Sequence, residues 1–448
     1  MSNLIPEEML RSKSPDLPER PELDVIRYFT ELSRQSHGID NGQYPLGSCT
    51  MKYNPKRNDA LAELDNFRYV HPLQNTQSMQ GVLQICHDLQ QYLAEITGMD
   101  VVTLQPAAGA HGEMTGLLMI KKYFEGQGQK RQIILIPDSA HGTNPASSAM
   151  AGFECRIIAT NDRGLLDLES LKSQLNEEVA ALMITNPSTF GLFEENIQII
   201  EKLLHENGSL IYYDGANLNA LMGIVRPGDM GFDVMHVNVH KTFATPHGGG
   251  GPGAGPVAAK EFLKEFLPTP VITKTDAGEY VMLGEKECPL SIGSLRGYIG
   301  HVSVLIRAYC YILTLGADGL KEASQDAVLN ANYLQSKLEK LFPAVFEGRC
   351  MHECLLSGHQ LPKDISVLEL SKRLIDYGIH PPTMIGAGCV YFPGDLGSAM
   401  LIETTETESK ENLDHLISCL EKIFQEALQD PHKIKSAPHT TLTKKIKA

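Results

Sequence analysis

His236-Val237-Asn238-Val239-His240-Lys241-Thr242-Phe243, with Gly248-Gly249-Gly250-Gly251 behind it, decides how this chain is read. A short alternating apolar segment ends on a lysine, and the chain then passes into a glycine-dense loop. Upstream, Ser209-Leu210-Ile211-Tyr212-Tyr213-Asp214 is an apolar run that closes on an aspartate 27 residues before Lys241. A lysine and an aspartate at the ends of two buried strands can serve the two ends of a pyridoxal phosphate. The amine forms a Schiff base with its aldehyde, and the carboxylate keeps the pyridine nitrogen protonated.

The surrounding segments repeat one pattern. Val101-Val102-Thr103-Leu104 reads as a strand leading into Gln105-Pro106-Ala107-Ala108-Gly109-Ala110-His111-Gly112-Glu113 and then an apolar helix (Met114, Leu117, Leu118, Ile120). A strand, a small-residue turn and a helix start present free N–H groups and a favourable dipole to an anion such as phosphate. Further strands are expected at 133–137, 155–159 and 180–185, with helices at 146–151, 167–175 and 197–205. His141 follows the second strand, and Asn186 follows the fourth. Short apolar runs alternating with helices indicate a mostly parallel sheet covered on both faces. Ligands of such sheets sit beyond the carboxyl ends of the strands, where Gly109, His141, Asn186, Asp214 and Lys241 collect.

Flanking segments read as follows. Residues 1–36 form a proline-bearing arm with a helix from Pro21 to Ser33. Asn41 to Asn54 is a long polar loop, a length that tends to serve function. Apolar residues recur at helical spacing from Met79 to Thr97, with Gly98 as C-cap. Residues 273–279 read as exposed loop, 302–312, 327–341, 367–377 and 412–429 as helices, and 400–404 as a strand. The stretch from Lys433 onward reads as a polar tail. The organisation expected is an arm and contact loop over 1–75, a large domain over 76–310 and a smaller α+β domain over 311–448.

A 448-residue chain with 42% hydrophobic residues can build a large core. A formal net charge of −15 argues against a nucleic-acid partner, because phosphate binding needs clustered Lys and Arg. No uninterrupted apolar run approaches the ~20 residues of a membrane helix, and the acidic N-terminus lacks a signal pattern. A cytoplasmic location is expected, with no membrane partner. The nine cysteines are scattered. Cys350 and Cys354 bracket Met351-His352-Glu353, but no second cluster at metal-ligand spacing accompanies them, so they read as ordinary thiols and no metal is expected.

Several stretches together carry a family resemblance: Leu46-Gly47-Ser48-Cys49-Thr50-Met51-Lys52, Gln105 to Glu113, Ser139-Ala140-His141-Gly142-Thr143-Asn144-Pro145-Ala146-Ser147, Tyr213-Asp214-Gly215-Ala216-Asn217-Leu218-Asn219-Ala220, and His240-Lys241-Thr242-Phe243 with Pro246 to Gly253. His380-Pro381-Pro382-Thr383 and Glu403-Thr404-Thr405-Glu406-Thr407-Glu408-Ser409 add to them. The chain resembles the glycine cleavage system P-protein, in its C-terminal half or second subunit, from about residue 40 to about residue 420. That resemblance implies an aspartate aminotransferase-like α/β fold and pyridoxal 5'-phosphate as cofactor. It implies decarboxylation of glycine with transfer of the aminomethyl group to the lipoyl arm of the H-protein. The long form of the family has two related halves, so a chain of this length implies a partner, P-protein subunit 1, in a heterotetramer.

By the same resemblance Lys241 bonds the cofactor, Asp214 meets its ring nitrogen and His141 stacks on the ring. Gly109, Ala110 and His111 cradle the phosphate, Asn186 reaches the phenolic oxygen, and His240 and Thr242 flank the lysine. Ser48, Cys49, Thr50 and Arg296 are candidates for the substrate, Arg296 because a guanidinium grips a carboxylate bidentately. Gly248 to Gly251 is either a mobile lid or a tight turn. Two departures stand out: Ala108 where other members have serine, and Ile385 to Tyr391 where a more apolar strand is expected. Other readings stay open: a cysteine desulfurase, aminotransferase or amino-acid decarboxylase of the same fold, or a non-catalytic scaffold subunit. A Rossmann dinucleotide site is disfavoured, because no strand is followed by G-x-G-x-x-G.

Overall fold

The structure is a computed structural model that describes residues 4–71, 74–247, 253–385 and 398–441. The chain divides into two compact units, Met1–Gly42 and Gln43–Ala448. In the first, α1 (Glu22–Arg34) follows Pro21 and exposes Leu23, Ile26, Tyr28 and Phe29.

In the second unit, α2 (Lys56–Ala62), α3 (Asp65–Arg68) and α4 (Gln80–Thr97) come first. Gly98, at φ 69, ends α4 in the left-handed conformation that glycine adopts without penalty. The chain then alternates: β1 (Val101–Thr103), α5 (Gly109–Gly126), β2 (Ile133–Pro137), α6 (Thr143–Met150), β3 (Glu154–Ile158), α7 (Leu168–Gln174), β4 (Val179–Thr185), α8 (Ile197–Glu206) and β5 (Leu210–Gly215). Next come β6 (Val234–Val237), α9 (Val239–Thr242), β7 (Val257–Ala259) and the hairpin β8 (Val271–Lys274) with β9 (Tyr280–Leu283). The remaining elements are α10 (Val302–Leu338), β10 (Glu353–Ser357), α11 (Val367–Ile375), β11 (Thr383–Ile385), β12 (Ala399–Glu403), α12 (Lys410–Gln429) and α13 (Pro431–Lys435).

Seven strands form one sheet in the order β1-β7-β6-β5-β4-β2-β3. The run from β6 to β3 is parallel, while β7 lies antiparallel to both β6 and β1. Its strands are apolar and buried because helices cover them: β2 is Ile-Ile-Leu-Ile-Pro with every residue buried. A second, antiparallel sheet runs β10-β12-β11. Its core, which includes Leu334, Phe342, Leu356, Ile402 and Leu420, is separate from the clusters that flank the large sheet.

Three expectations need correction. Lys241 does not end a strand. β6 stops at Val237, its last residue paired with β5, and from Asn238 the chain enters one helical turn that carries the lysine. Residues 273 and 274 are not loop but part of β8, held by Ile272 packing into the core. The segment from Pro431 to Thr441 is ordered: Ile434 is buried, and Asp376 accepts from the N–H groups of His439 and Thr440. Among the described residues, α10 is the helix with the length and composition of a membrane span. It is broken at Gly316 (φ 62) and packs against α2, α4, α12 and β10. Residues 248–251 and 386–391, read above as a glycine gate or turn and as an atypical strand, lie outside the described residues apart from Ile385, which ends β11.

The helix that matters most for the site, α5, lies close against the sheet through glycines. A Cβ on Gly112 would stand 2.7 Å from the Gly255 carbonyl oxygen and 2.9 Å from His236 Cβ. Gly112→Ala should therefore destabilise the protein by about 1–3 kcal/mol, the usual cost of overpacking. Urea unfolding of the variant checks this; an unchanged midpoint would mean that the α5 contact relaxes freely.

Candidate active site

Asp214, near the end of β5, is buried to 3% exposure and fully engaged. Its Oδ2 accepts from Asn144 Nδ2 (3.0 Å) and Thr185 Oγ1 (3.2 Å), and its Oδ1 from the Ala216 N–H (3.1 Å). His236 Nε2 stands 3.4 Å from Oδ1, and the other ring nitrogen is 2.9 Å from the Tyr212 hydroxyl. Burial pushes the Asp214 carboxyl up, but His236, Asn144, the Ala216 N–H and Lys241 together outweigh it and hold it below the ordinary carboxylate value. Partners from α6, β4 and β6 are thus needed to keep one charge at the floor of the site.

Lys241, on α9, donates from Nζ to the Ser48 carbonyl at 2.6 Å. Ser48 sits at φ 61, in the left-handed region that costs a non-glycine residue of order 1 kcal/mol. Its N–H donates to Glu353 Oε2 at 2.7 Å, so both sides of its peptide backbone are held by pocket side chains. The histidines around the lysine are pushed toward the neutral form. Burial, then His247 and Lys241, lower His240 to about 3. Burial is also the main cause for His141, against the opposing pull of Asp214. His141 is anchored through Thr143, whose hydroxyl donates to Glu113 Oε1 at 2.7 Å.

These groups enclose a cavity of ≈ 250 Å³, lined among others by Ser48, Gly109, His141, Asp214, Lys241 and Glu353. A larger groove of ≈ 770 Å³ lies between α4 and the β8–β9 hairpin and shares no residue with it. Of the two, the smaller holds the lysine and the anchored carboxylate. The donor set suits pyridoxal phosphate: an amine for the aldehyde, a buried carboxylate for the ring nitrogen, an imidazole beside them and the start of an 18-residue helix, α5, for the phosphate.

Of the residues singled out from sequence, Lys241, Asp214, His141, Gly109, Ala110, His240 and Ser48 meet in this cavity. Cys49 and Thr50 continue the same strap: burial raises the Cys49 thiol, and the Thr50 hydroxyl donates to Glu403. The others stand outside the lining. Thr242 is buried and accepts from the Leu218 N–H at 2.9 Å. Asn186 is buried, its Oδ1 accepting from the Glu194 N–H at 2.9 Å, while its Nδ2 has no partner among the described residues. His111 uses Nδ1 to accept from the Ala107 N–H. Arg296 stands close enough to His111 to lower its pKa, after burial, and its buried Nη1 has no partner among the described residues. Arg296 is therefore placed near the start of α5.

Sequence reading missed Asn144, Thr185, His236, Glu113, Glu353 and Glu403. Asn144 lay within a quoted motif, three residues beyond His141, but its target on β5 is 70 residues away. The stretch Met351-His352-Glu353 was weighed only as a metal cluster by local spacing; the structure brings His352 and Glu353 together with Glu403 from another strand. The eight described cysteines are all free.

Comparison with known proteins bears on this geometry. Residues 3–282 match the family model described as glycine cleavage system P-protein, and residues 323–444 match glycine dehydrogenase, C-terminal domain. The chain is 53% identical to a probable glycine dehydrogenase (decarboxylating) subunit 2 of Kosmotoga olearia, covering 99% of this chain and 91% of that one. It is 54% identical to the protein of the same description from Caldanaerobacter subterraneus, covering 100% and 90%. The fold is similar to that of a glycine decarboxylase (P-protein) crystallised in inhibitor-bound form (TM-score 0.77, 22% identity, 94% and 93% covered). It is also similar to that of a glutamate decarboxylase of Lactobacillus brevis (TM-score 0.70, 13% identity, 94% and 97% covered).

The electrostatics of Asp214 have a sign that can be checked. A folded pKa below 3.8 means that its contribution to stability is present above that value and is lost as pH falls through the lower folded value. The acid limb of the stability curve should be flatter in Asp214→Asn than in the parent below about pH 4. Parallel limbs in denaturant titrations would show that burial cancels the partners.

Proposed function

The chain belongs to the glycine cleavage system P-protein family, and on that footing we propose how its pocket works. It is a glycine dehydrogenase (decarboxylating), a pyridoxal-phosphate enzyme with the aspartate aminotransferase-like fold. The observation that carries the residue assignment is the Lys241–Asp214 pair in one cavity, with Asp214 kept anionic by four neighbours.

In this reading Lys241 would bond the cofactor aldehyde, and Asp214 would keep a proton on the pyridine nitrogen. Bound, the cofactor supplies an electron sink for the pair left when carbon dioxide departs from glycine. His141, driven toward the neutral form and anchored through Thr143, would lie against the ring. The N-terminal N–H groups of α5 at Gly109, Ala110 and His111 receive the phosphate, and the position of Arg296 beside His111 supports a phosphate contact for its free Nη1. On this proposal the guanidinium serves the phosphate, where the sequence had suggested the glycine carboxylate. Asn186 supports the wall from behind, and His240 and Thr242 fix the turn that carries the lysine. The strap Ser48-Cys49-Thr50 closes the lysine side, where glycine enters.

The aminomethyl group then passes to the lipoyl arm of the H-protein. Relatives described as subunit 2 support a partner, P-protein subunit 1; a heterotetramer in the cytoplasm is part of the same proposal. A division into a large and a small domain is supported by the core clusters, which draw on 79–323 around the large sheet and on 331–434 beneath the small one, so that the break falls between 323 and 331, within α10, rather than at 310.

Borohydride reduction of the cofactor-loaded protein should label Lys241; a label on another lysine overturns the assignment. Asp214→Ala should retain that label but lose glycine decarboxylation by roughly 10²–10³-fold. Label-free protein or undiminished turnover would each contradict the role. Co-purification with a subunit 1 homologue should be needed for H-protein-dependent exchange of labelled bicarbonate into glycine. Full exchange by this chain alone would remove the two-subunit reading.

A further inference from the structure

Two glutamates face each other across the small sheet. Glu353 on β10 and Glu403 on β12 are direct partners in the antiparallel register, and each is 2% exposed. With His352 they bring ligating atoms within 4.8 Å of one another. Two ionised carboxylates directly opposed in a buried sheet repel, and the usual escape is for one to keep its proton. We propose that Glu353 and Glu403 hold one proton between them, and that Glu353 presents it to the cavity beside Lys241. This rests on the pocket being the reaction site.

The hydrogen bonds decide which partner keeps the charge. Glu403 Oε1 accepts from the Thr50 hydroxyl and, at 3.0 Å each, from Asn217 Nδ2 and Asn219 Nδ2. Three donors stabilise a carboxylate. Glu353 has one, the Ser48 N–H at 2.7 Å. The groups facing Glu353 from each side are Ser48 and Cys49 on the strap, Lys241 on α9, Glu403 on β12, and His352 and Cys350 on its own segment. Burial and Glu403 push Glu353 well above the carboxylate range, and the Ser48 N–H and Lys241 do not reverse this.

The rest of the lining gives that proton its significance. His141, His240 and His352 are all driven toward the neutral form, mainly by burial, and Asp214 toward the anion. Glu353 is the lining residue whose shift retains a proton. A step that creates an anion in this cavity finds its acid there. In the transfer proposed above, the aminomethyl carbon bonds one sulfur of the carrier's lipoyl disulfide as the sulfur–sulfur bond breaks, and the departing sulfur takes the electron pair of the broken bond and one proton. Glu353 is left as the carboxylate and regains its proton from solvent.

A bound cation is the competing account, since Glu403 Oε2 and both His352 nitrogens have no hydrogen-bond partner among the described residues. The proton is favoured because Glu403 already spends Oε1 on three donors and the Lys241 amine stands on the same side.

Infrared difference spectroscopy of the cofactor-free protein tests this without turnover. The parent should show a protonated-carboxyl carbonyl band at pH 7 that Glu353→Gln removes and whose titration midpoint falls in Glu403→Gln. Glutamine is a neutral match for the protonated acid, so Glu353→Gln should keep the parent's melting temperature. The same variant in the loaded complex should lose about 10²-fold or more in turnover, and Glu403→Gln should shift the alkaline limb of the pH profile to lower pH. Absence of the band in the parent, or its survival in Glu353→Gln, overturns the proposal. So does stoichiometric proton release on adding Mg²⁺, Mn²⁺ or Zn²⁺ to the parent, which would make the pair a cation site. A correct band in a protein without glycine decarboxylation would leave the shared proton standing and remove the functional reading instead.

Discussion

The buried ion pair of Lys52 with Glu406 holds the two sheets to one site. Lys52 Nζ is 2.6 Å from Glu406 Oε1, donates to the Thr242 carbonyl at 3.0 Å and reaches the Tyr311 hydroxyl at 3.4 Å. Burial opposes the ammonium charge, but Glu406 and Tyr311 keep the pKa above its ordinary value. An isolated buried charge costs several kcal/mol, so the lysine and the glutamate are each tolerable only because the other is present. Through this contact the strap from Gln43 to Asn54 is locked to the turn carrying Lys241 and to the segment after β12. The rest of the strap repeats the connection: Gly47 N–H donates to Leu401, and Thr383 donates to the Gly47 carbonyl.

That construction explains why one cavity can keep opposite protonation states. Asp214 is surrounded by donors from the large sheet and its helices and stays an anion. Glu353, from the small sheet, has one donor and a like charge across the ladder and stays an acid. The difference lies in the number and sign of neighbours, since both groups are buried. The imidazoles are neutralised by the same burial. The site therefore separates its charges by the donors each carboxyl meets: Asp214 and Glu403 each accept from three among the described residues, Glu353 from one.

Legibility from sequence followed the range of the interaction. β2, β4 and β5, α4 with its glycine cap and the α12 helix were readable because period and capping are local. The Lys241–Asp214 pairing was readable because strand ends in an α/β sheet share one edge. The helical turn at Val239–Thr242 was not, because alternation in sequence continued past the point where β6 lost its partner. The ordered residues after Lys433 were not, because a polar composition does not reveal that Asp376 waits to accept their N–H groups.

The sequence by itself determined the order and type of the main elements and the family, through motifs spread from residue 46 to residue 409, and it pointed to the lysine and the aspartate as the cofactor pair. Only the tertiary structure decided that Ser48, Glu353 and Glu403 surround the lysine, that Asn144, Thr185 and His236 fix the charge of Asp214, and that Arg296 stands at the start of α5. Those groups come from segments up to some hundreds of residues apart. What joins them is the register of two sheets and the path of one strap, and neither leaves a periodic trace in the chain.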